Sequence, residues 1–376
     1  MSGLPPHLKR QQAAELQRDP ETIRRAHAVA KGLHRRGVVP VVTLGHLAHL
    51  TGARSRYLRE IVNRSRDPYV DIARPKRDGT SRPISSPEPI LMDVQRWLLT
   101  NVLDTCEPHR CSWAYQRRRS IVRCANEHVG ARWLIKLDLH DFYGSVREPA
   151  AFAIFNRLGY PRLLSFEMAR LCTRSPTQLG GIRASRLPYR EKRWLGVLPQ
   201  GSPTSGVLAN AAMLEVDEEL AELADALDLV YTRYSDDIVF SAWDEFSRAR
   251  ASALITDVTN ILRNSRFRVH RRKTTVVPPG ARKIVLGLDV LDDRVALPAQ
   301  FKRRLEVHVR GVKRFGVVSH AQHRRFRSVL SMVDHVDGCL AFAGNVDRGF
   351  VDRLRPEWEA ALHANGYPDR QNTFEG

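Results

Sequence analysis

Residues 230–241 read VYTRYSDDIVFS, two short runs of β-branched and aromatic residues around the polar centre Ser235, Asp236 and Asp237. This pattern is typical of a β-hairpin with its polar residues at the tip. Two adjacent carboxylates repel each other, and burial makes their charge more costly, unless a cation lies between them. The stretch therefore indicates either a metal-binding hairpin or an ordinary solvated turn that contains two aspartates.

A second acidic strand end favours the metal-binding interpretation. Residues 133–139, WLIKLDL, are an apolar run typical of a strand, and Asp138 lies near its end. From a neighbouring strand, Asp138 would complete a cluster of hard oxygen ligands suited to Mg²⁺. Two such ions about 3.5–4 Å apart activate an attacking hydroxyl and stabilise a leaving pyrophosphate. A polymerase needs this arrangement.

The composition agrees with a folded protein that binds a polyanion. The chain has 376 residues, 43% of them hydrophobic, and a net charge of +19 from 60 basic and 41 acidic residues. Such an excess of positive charge makes nucleic acid the first candidate partner. No apolar run approaches the ~18 residues of a membrane span, and the five cysteines are irregularly spaced. We expect a cytoplasmic protein with no membrane partner.

Four sequence blocks occur in a fixed order along the chain: RPKRDGTSRPI at 74–84, LDLHDFYGSV from Leu137, LPQGSPTSGVLAN from Leu198, and YSDD from Tyr234. Together they resemble the bacterial reverse transcriptases, and most closely the retron type. The resemblance runs from about Tyr69 into the C-terminal helices. It implies an α+β right-hand polymerase, with an N-terminal helical segment (1–66), fingers and palm (67–291) and a helical, RNA-binding thumb (292–376). The palm would be an antiparallel sheet that carries the YSDD hairpin.

The resemblance also implies the catalytic and metal-binding residues. Asp138, Asp236 and Asp237 would be the catalytic, metal-binding carboxylates, and the main-chain carbonyl of Leu139 would be an extra ligand. The cofactor would be two Mg²⁺ ions, with Mn²⁺ as a possible substitute.

Further residues would bind the incoming dNTP. Asp141 and Phe142 would lie under its triphosphate, Gln200 would brace the nucleotide, and Lys273 would protonate it or bind phosphate. Tyr143 would exclude the 2′-hydroxyl of an rNTP, unless it is an ordinary aromatic core residue. Lys76 and Arg82 lie on either side of the expected hairpin tip at 78–79. Their side chains would close on the triphosphate, although charged side chains at such a tip are usually only solvated.

In the thumb, several basic residues lie on one expected helix without matching acids, which favours contact with RNA phosphates. They are Lys302, Arg303, Arg310, Lys313 and Arg314.

Two short segments resemble retron markers in outline. Residues 124–128, CANEH, resemble Asn-Ala-x-x-His with Cys124 in place of Asn, and residues 285–290, VLGLDV, resemble a Val-Thr-Gly block with Leu286 in place of Thr. A retron enzyme would make RNA-linked single-stranded DNA (msDNA) from a cognate structured non-coding RNA, in anti-phage defence. A separately encoded effector and host RNase H would be its protein partners. The alternatives are a defence-associated reverse transcriptase outside the retrons, or a non-catalytic RNA-binding protein on a polymerase fold; the three aspartates favour an active enzyme.

Overall fold

The structure, a computed structural model, describes residues 19–75, 81–175 and 195–367. Three helices open the described chain: α1 (Pro20–Arg35), α2 (Leu44–Thr51) and α3 (Ser55–Val62). The side chains of Asp19 and Thr43 accept hydrogen bonds from main-chain N–H groups at the starts of α1 and α2. Both helices therefore begin at polar residues that satisfy otherwise unpaired donors.

A two-stranded antiparallel sheet follows, made of β1 (Tyr69–Pro75) and β2 (Ser81–Pro87). Pro75 pairs with Ser81, so residues 76–80 connect the strands. Lys76 lies outside the described residues. Arg82 lies in β2 opposite Arg74, and its side chain is also outside the described part. The sheet is followed by α4 (Pro89–Asn101) and α5 (Ile121–Asn126).

The central sheet is antiparallel, in the order β4-β5-β3-β6. Its strands are β3 (Trp133–Asp138), β4 (Val230–Tyr234), β5 (Asp237–Ala242) and β6 (Thr275–Val277). Tyr234 pairs with Asp237, so Ser235 and Asp236 form the turn of a tight hairpin. Ser235 has a φ of +60°, in the left-handed region that such turns use. The predicted hairpin and the predicted strand at 133–139 are confirmed.

Helices surround this sheet: α6 (Phe142–Ser145), α7 (Glu148–Arg157), α8 (Arg162–Cys172), α9 (Ser205–Ala212), α10 (Leu214–Ala226) and α11 (Arg248–Asn264).

Alternate residues of the central strands face two different hydrophobic cores, because successive side chains of a strand point to opposite faces. Ile135 and Phe240 belong to a first core, which also contains buried residues of α2, α3 and α7–α11. Leu134 and Val239 belong to a second core, shared with the C-terminal helices. The N-terminal helices therefore pack into the same core as the central sheet.

The C-terminal region begins with a small antiparallel sheet of β7 (Ile284–Val285), β8 (Leu288–Val290) and β9 (Val295–Ala296). Four helices follow: α12 (Ala299–Phe315), α13 (Val317–His323), α14 (Val329–Gly344) and α15 (Arg348–His363). Val285 and Leu288 are buried in the second core, together with residues of these four helices. The expected start of the thumb at residue 292 stays a prediction. The α+β fold class with antiparallel sheets is confirmed. No helix in the described ranges is both long and apolar enough to cross a membrane.

Candidate active site

The backbone brings the three predicted aspartates to the point where two central strands end. Asp138, the last residue of β3, pairs with Asp237, the first residue of β5. The N–H of Leu139 donates to the carbonyl oxygen of Asp236 at 2.9 Å, which joins the strand end to the hairpin turn. Burial, and then the negative charges of Asp236 and Asp138, raise the pKa of Asp237 to about 6. The site therefore concentrates negative charge.

Lys273 lies directly on this acidic site. Its Nζ donates to both carboxylate oxygens of Asp138, at 3.0 and 2.8 Å. The short helical turn Arg271–Lys273 before β6 carries the lysine, and the N–H of His270 donates to the Asp138 carbonyl at 2.7 Å. The lysine expected to protonate or bind the nucleotide is thus paired with an acidic residue of the site.

The oxygen atoms of the three aspartates suit a hard divalent cation, although the carboxylates are not arranged around a common point. Among the described residues, no group of three or more His, Cys, Asp or Glu could hold a metal ion as it stands. Carboxylate oxygens are nevertheless the ligands that Mg²⁺ prefers, and burial together with the charges of Asp236 and Asp138 raises the pKa of Asp237. A cation bound here would compete with the Lys273 ammonium for Asp138.

The residues that follow β3 form a tight turn into α6. Asp141 has a φ of +51°, and a Cβ on Gly144 would stand 2.5 Å from its carboxylate oxygen Oδ2. A side chain at position 144 would displace the Asp141 carboxylate from this position. Phe142 is buried against Phe267, with ring centroids 6.1 Å apart. The triphosphate contacts of Asp141 and Phe142, and the Leu139 carbonyl ligand, stay predictions.

Gln200 lies in a loop that is tied to β2. Its carbonyl oxygen accepts a hydrogen bond from the N–H of Ser85 at 2.7 Å. The neighbouring Gly201 has a φ of +122°, and a Cβ there would stand 2.7 Å from the Ser85 carbonyl oxygen. Only glycine allows this close approach of the two backbones. The loop is thereby held between the two-stranded sheet and α9.

Sequence reasoning missed a buried ion pair beneath the hairpin. Arg233 and Asp217 are both fully buried, with Nη2 and Oδ2 2.5 Å apart. Arg233 Nε donates to Asp217 Oδ1 at 2.7 Å, and Nη1 donates to the Ser235 carbonyl at 3.1 Å. The pair therefore anchors the turn that carries Asp236. The sequence carried one signal for this ion pair. Arg233 lies within the run of β-branched and aromatic residues that predicts the strand, and an arginine is almost never fully buried unless it is paired.

The first retron-like marker lies behind the same hairpin. His128 is buried, with Nδ1 2.7 Å from Ser241 Oγ and Nε2 2.7 Å from Thr232 Oγ1. Burial lowers the pKa of His128 to about 3, so the imidazole is neutral at physiological pH. Cys124 is buried in α5 beside it. This segment fastens α5 to β4 and β5.

The second marker forms the turn between β7 and β8. Leu286 and Gly287 have φ values of +50° and +83°. Two consecutive left-handed residues are typical of a type I′ hairpin turn.

The basic residues of α12 have more acidic partners than the sequence suggests. Lys302 Nζ lies 2.5 Å from Asp347 Oδ2, and Lys313 Nζ lies 2.7 Å from Glu357 Oε2. The expectation that this face lacks matching acids is wrong for these two lysines, because the acids come from α15 and its N-cap. The other three basic residues, Arg303, Arg310 and Arg314, are exposed. The acidic contact of Arg310 is a 3.9 Å one with Glu306.

A family model for reverse transcriptase (RNA-dependent DNA polymerase) matches residues 74–313. This match spans more than half of the chain, which therefore belongs to the reverse transcriptase family.

The resemblance to retron enzymes is also confirmed. The chain is 35% identical to the retron Mx162 reverse transcriptase of Myxococcus xanthus, over 59% of this chain and 47% of that protein. It is 27% identical to the retron Ec86 reverse transcriptase of Escherichia coli, over 73% of this chain and 74% of that protein. It is 32% identical to the retron Mx65 reverse transcriptase of Myxococcus xanthus, over 76% of this chain and 63% of that protein. The matched region is thus about half of the Mx162 enzyme and less than two thirds of the Mx65 enzyme.

A solved telomerase structure from Candida albicans, in complex with a fragment of telomeric RNA, has a TM-score of 0.42 at 12% identity. It covers 79% of this chain and 56% of the telomerase chain, a similarity too low to support an inference.

Proposed function

We propose that the chain is an RNA-directed DNA polymerase of the retron type. The observation that carries the proposal is the cross-strand pairing of Asp138 with Asp237, beside Asp236, in a member of the reverse transcriptase family. The central sheet would be the palm, β1 and β2 the fingers, and α12–α15 the thumb of a right-hand polymerase.

Two Mg²⁺ ions, or Mn²⁺ in their place, would be held by Asp138, Asp236, Asp237 and the Leu139 carbonyl, and would supply charge neutralisation and an activated hydroxyl nucleophile. Lys273, released from Asp138, would donate a proton or bind phosphate. The other nucleotide contacts would come from Lys76, Arg82, Asp141, Phe142, Tyr143 and Gln200.

The retron relatives support a specific product. The enzyme would copy a cognate structured non-coding RNA into RNA-linked single-stranded DNA, starting from a 3′ end or an RNA 2′-hydroxyl. Host RNase H would remove the template, a separately encoded effector would complete an anti-phage system, and the cytoplasm would be the site of action. Cys124 and Leu286 favour the second candidate, a defence-associated reverse transcriptase outside the retrons.

Sequencing the nucleic acid that co-purifies with the protein distinguishes these functions. A branched or RNA-linked DNA of defined sequence is expected. Heterogeneous or template-free DNA would instead support the second candidate.

The exposed arginines of α12 provide a test of the thumb. Replacing Arg310 and Arg314 together with Gln is expected to weaken binding of the co-purified RNA mainly at low salt. Each lost phosphate contact should lower the slope of log affinity against log salt by about 0.7 for a single strand. Filter binding across a salt series measures this slope.

Incorporation on a saturating simple primer-template should change little, because the carboxylates are untouched. The matched control is Arg24→Gln with Arg25→Gln on α1, which removes the same charge from another exposed helix. Parallel salt lines for the α12 variant and the wild type would contradict the RNA contact.

A further inference from the structure

Three hydroxyl groups from separate parts of the chain meet beside the carboxylates. The hydroxyl of Tyr115 lies 3.0 Å from Ser235 Oγ in the hairpin turn. The same hydroxyl is hydrogen-bonded to that of Tyr143 in α6. Tyr115 therefore links the expected sugar-contacting residue to the turn that carries Asp236.

The segment around Tyr115 is fixed to the edge of the central sheet. The N–H of Arg233 donates to the Cys111 carbonyl at 2.8 Å, and the N–H of Trp113 donates back to the Arg233 carbonyl at 2.8 Å. Asn210 Nδ2 in α9 donates to the Ala114 carbonyl, also at 2.8 Å. These bonds hold the backbone immediately before Tyr115, so its ring projects from a rigid support.

Tyr115 itself has a costly backbone conformation. Its φ is +60°, a left-handed value that is rare for a bulky residue and costs on the order of 1–3 kcal/mol. The ring lies against Gly206, where a Cβ would stand 2.6 Å from the ring carbon Cγ. Both features direct the tyrosine hydroxyl towards Tyr143 and Ser235, while 48% of the residue remains exposed.

We infer that Tyr115 is a positioning residue that holds the Tyr143 ring in place and thereby sets the preference for dNTPs over rNTPs. The inference rests on the proposed function. An aromatic ring excludes a 2′-hydroxyl only if it cannot move aside, and a hydrogen bond at the far end of the ring restrains that motion. Because Tyr115 also bonds Ser235, the ring is held relative to the hairpin turn at which the carboxylates lie.

The kinetic test is Tyr115→Phe, which removes the bonding hydroxyl and keeps the ring against Gly206. The ratio of kcat/KM for a dNTP to that for the matching rNTP is expected to fall roughly three- to tenfold, the range that one hydrogen bond contributes. The change should lie mainly in a lower KM for the rNTP. A residue that only supports the fold would instead lower both activities together.

The control variant is Tyr160→Phe. It deletes a tyrosine hydroxyl that donates to the Val39 carbonyl at 2.8 Å, away from the carboxylates. It is expected to leave the dNTP to rNTP ratio unchanged.

A second measurement tests the contact without using activity. Thermal unfolding of Tyr115→Phe, Tyr143→Phe and the double variant forms a double-mutant cycle. The double variant is expected to lose less stability than the sum of the single variants, because either change breaks the shared hydrogen bond. Additive losses, or an unchanged ratio in an active Tyr115→Phe enzyme, would overturn the positioning role alone. A wild-type protein that incorporates neither nucleotide would overturn the proposed function.

Discussion

Asp236→Asn is expected to abolish divalent-metal-dependent dNTP incorporation while leaving the fold and RNA binding nearly intact. The change removes one negative oxygen ligand from the proposed metal site, and with it part of the stabilisation of the transferring phosphoryl group. It also removes repulsion from Asp237, whose pKa is raised partly by the charge of Asp236. The hairpin should therefore be as stable as in the wild type or slightly more so.

Primer extension and thermal unfolding of the same preparations separate the two effects. The matched control is Asp244→Asn, the same chemical change at an exposed position beyond the far end of β5. It is expected to polymerise normally. Wild-type incorporation by Asp236→Asn would contradict the catalytic assignment and favour a non-catalytic RNA-binding protein.

Arg233→Met is expected to destabilise the protein by about 3–5 kcal/mol, because it leaves the buried Asp217 carboxylate without its counter-charge. It also removes the hydrogen bond to the Ser235 carbonyl, so residual polymerase activity should fall even at temperatures where the variant is folded. Urea unfolding monitored by circular dichroism measures the stability change.

A double variant and an exposed pair provide the controls. Arg233→Met combined with Asp217→Leu removes both charges, and we expect it to be more stable than Arg233→Met alone. Arg110→Met breaks an ion pair with Asp225 in which both side chains are largely exposed, and it should have little effect. Equal losses in Arg233→Met and Arg110→Met would show that burial of the Arg233 pair has no energetic consequence.

The sequence predicts those parts of the site that depend on local pattern. The apolar runs around Ser235 and Asp236 predict a hairpin because the period of two is a local property. The strand ending at Asp138 follows from the same rule, and the structure pairs it with Asp237.

Contacts between distant segments could not be predicted in this way. Lys313 has an acidic partner in Glu357, which another helix brings to it. The link from Tyr115 to Ser235 spans 120 residues of sequence, a much longer separation. Such partners depend on how helices and strands pack, which no short pattern encodes.

The two-sided packing of the central strands has a consequence for cooperativity. Leu134 and Val239 lie in one core, while Ile135 and Phe240, their sequence neighbours, lie in the other. Neither half of the molecule can therefore unfold without exposing one face of the strands that carry the carboxylates. Calorimetry of the full chain is expected to show a single melting transition. Heat would then destroy RNA binding and chemistry together, and the C-terminal helices would have no independent melting point.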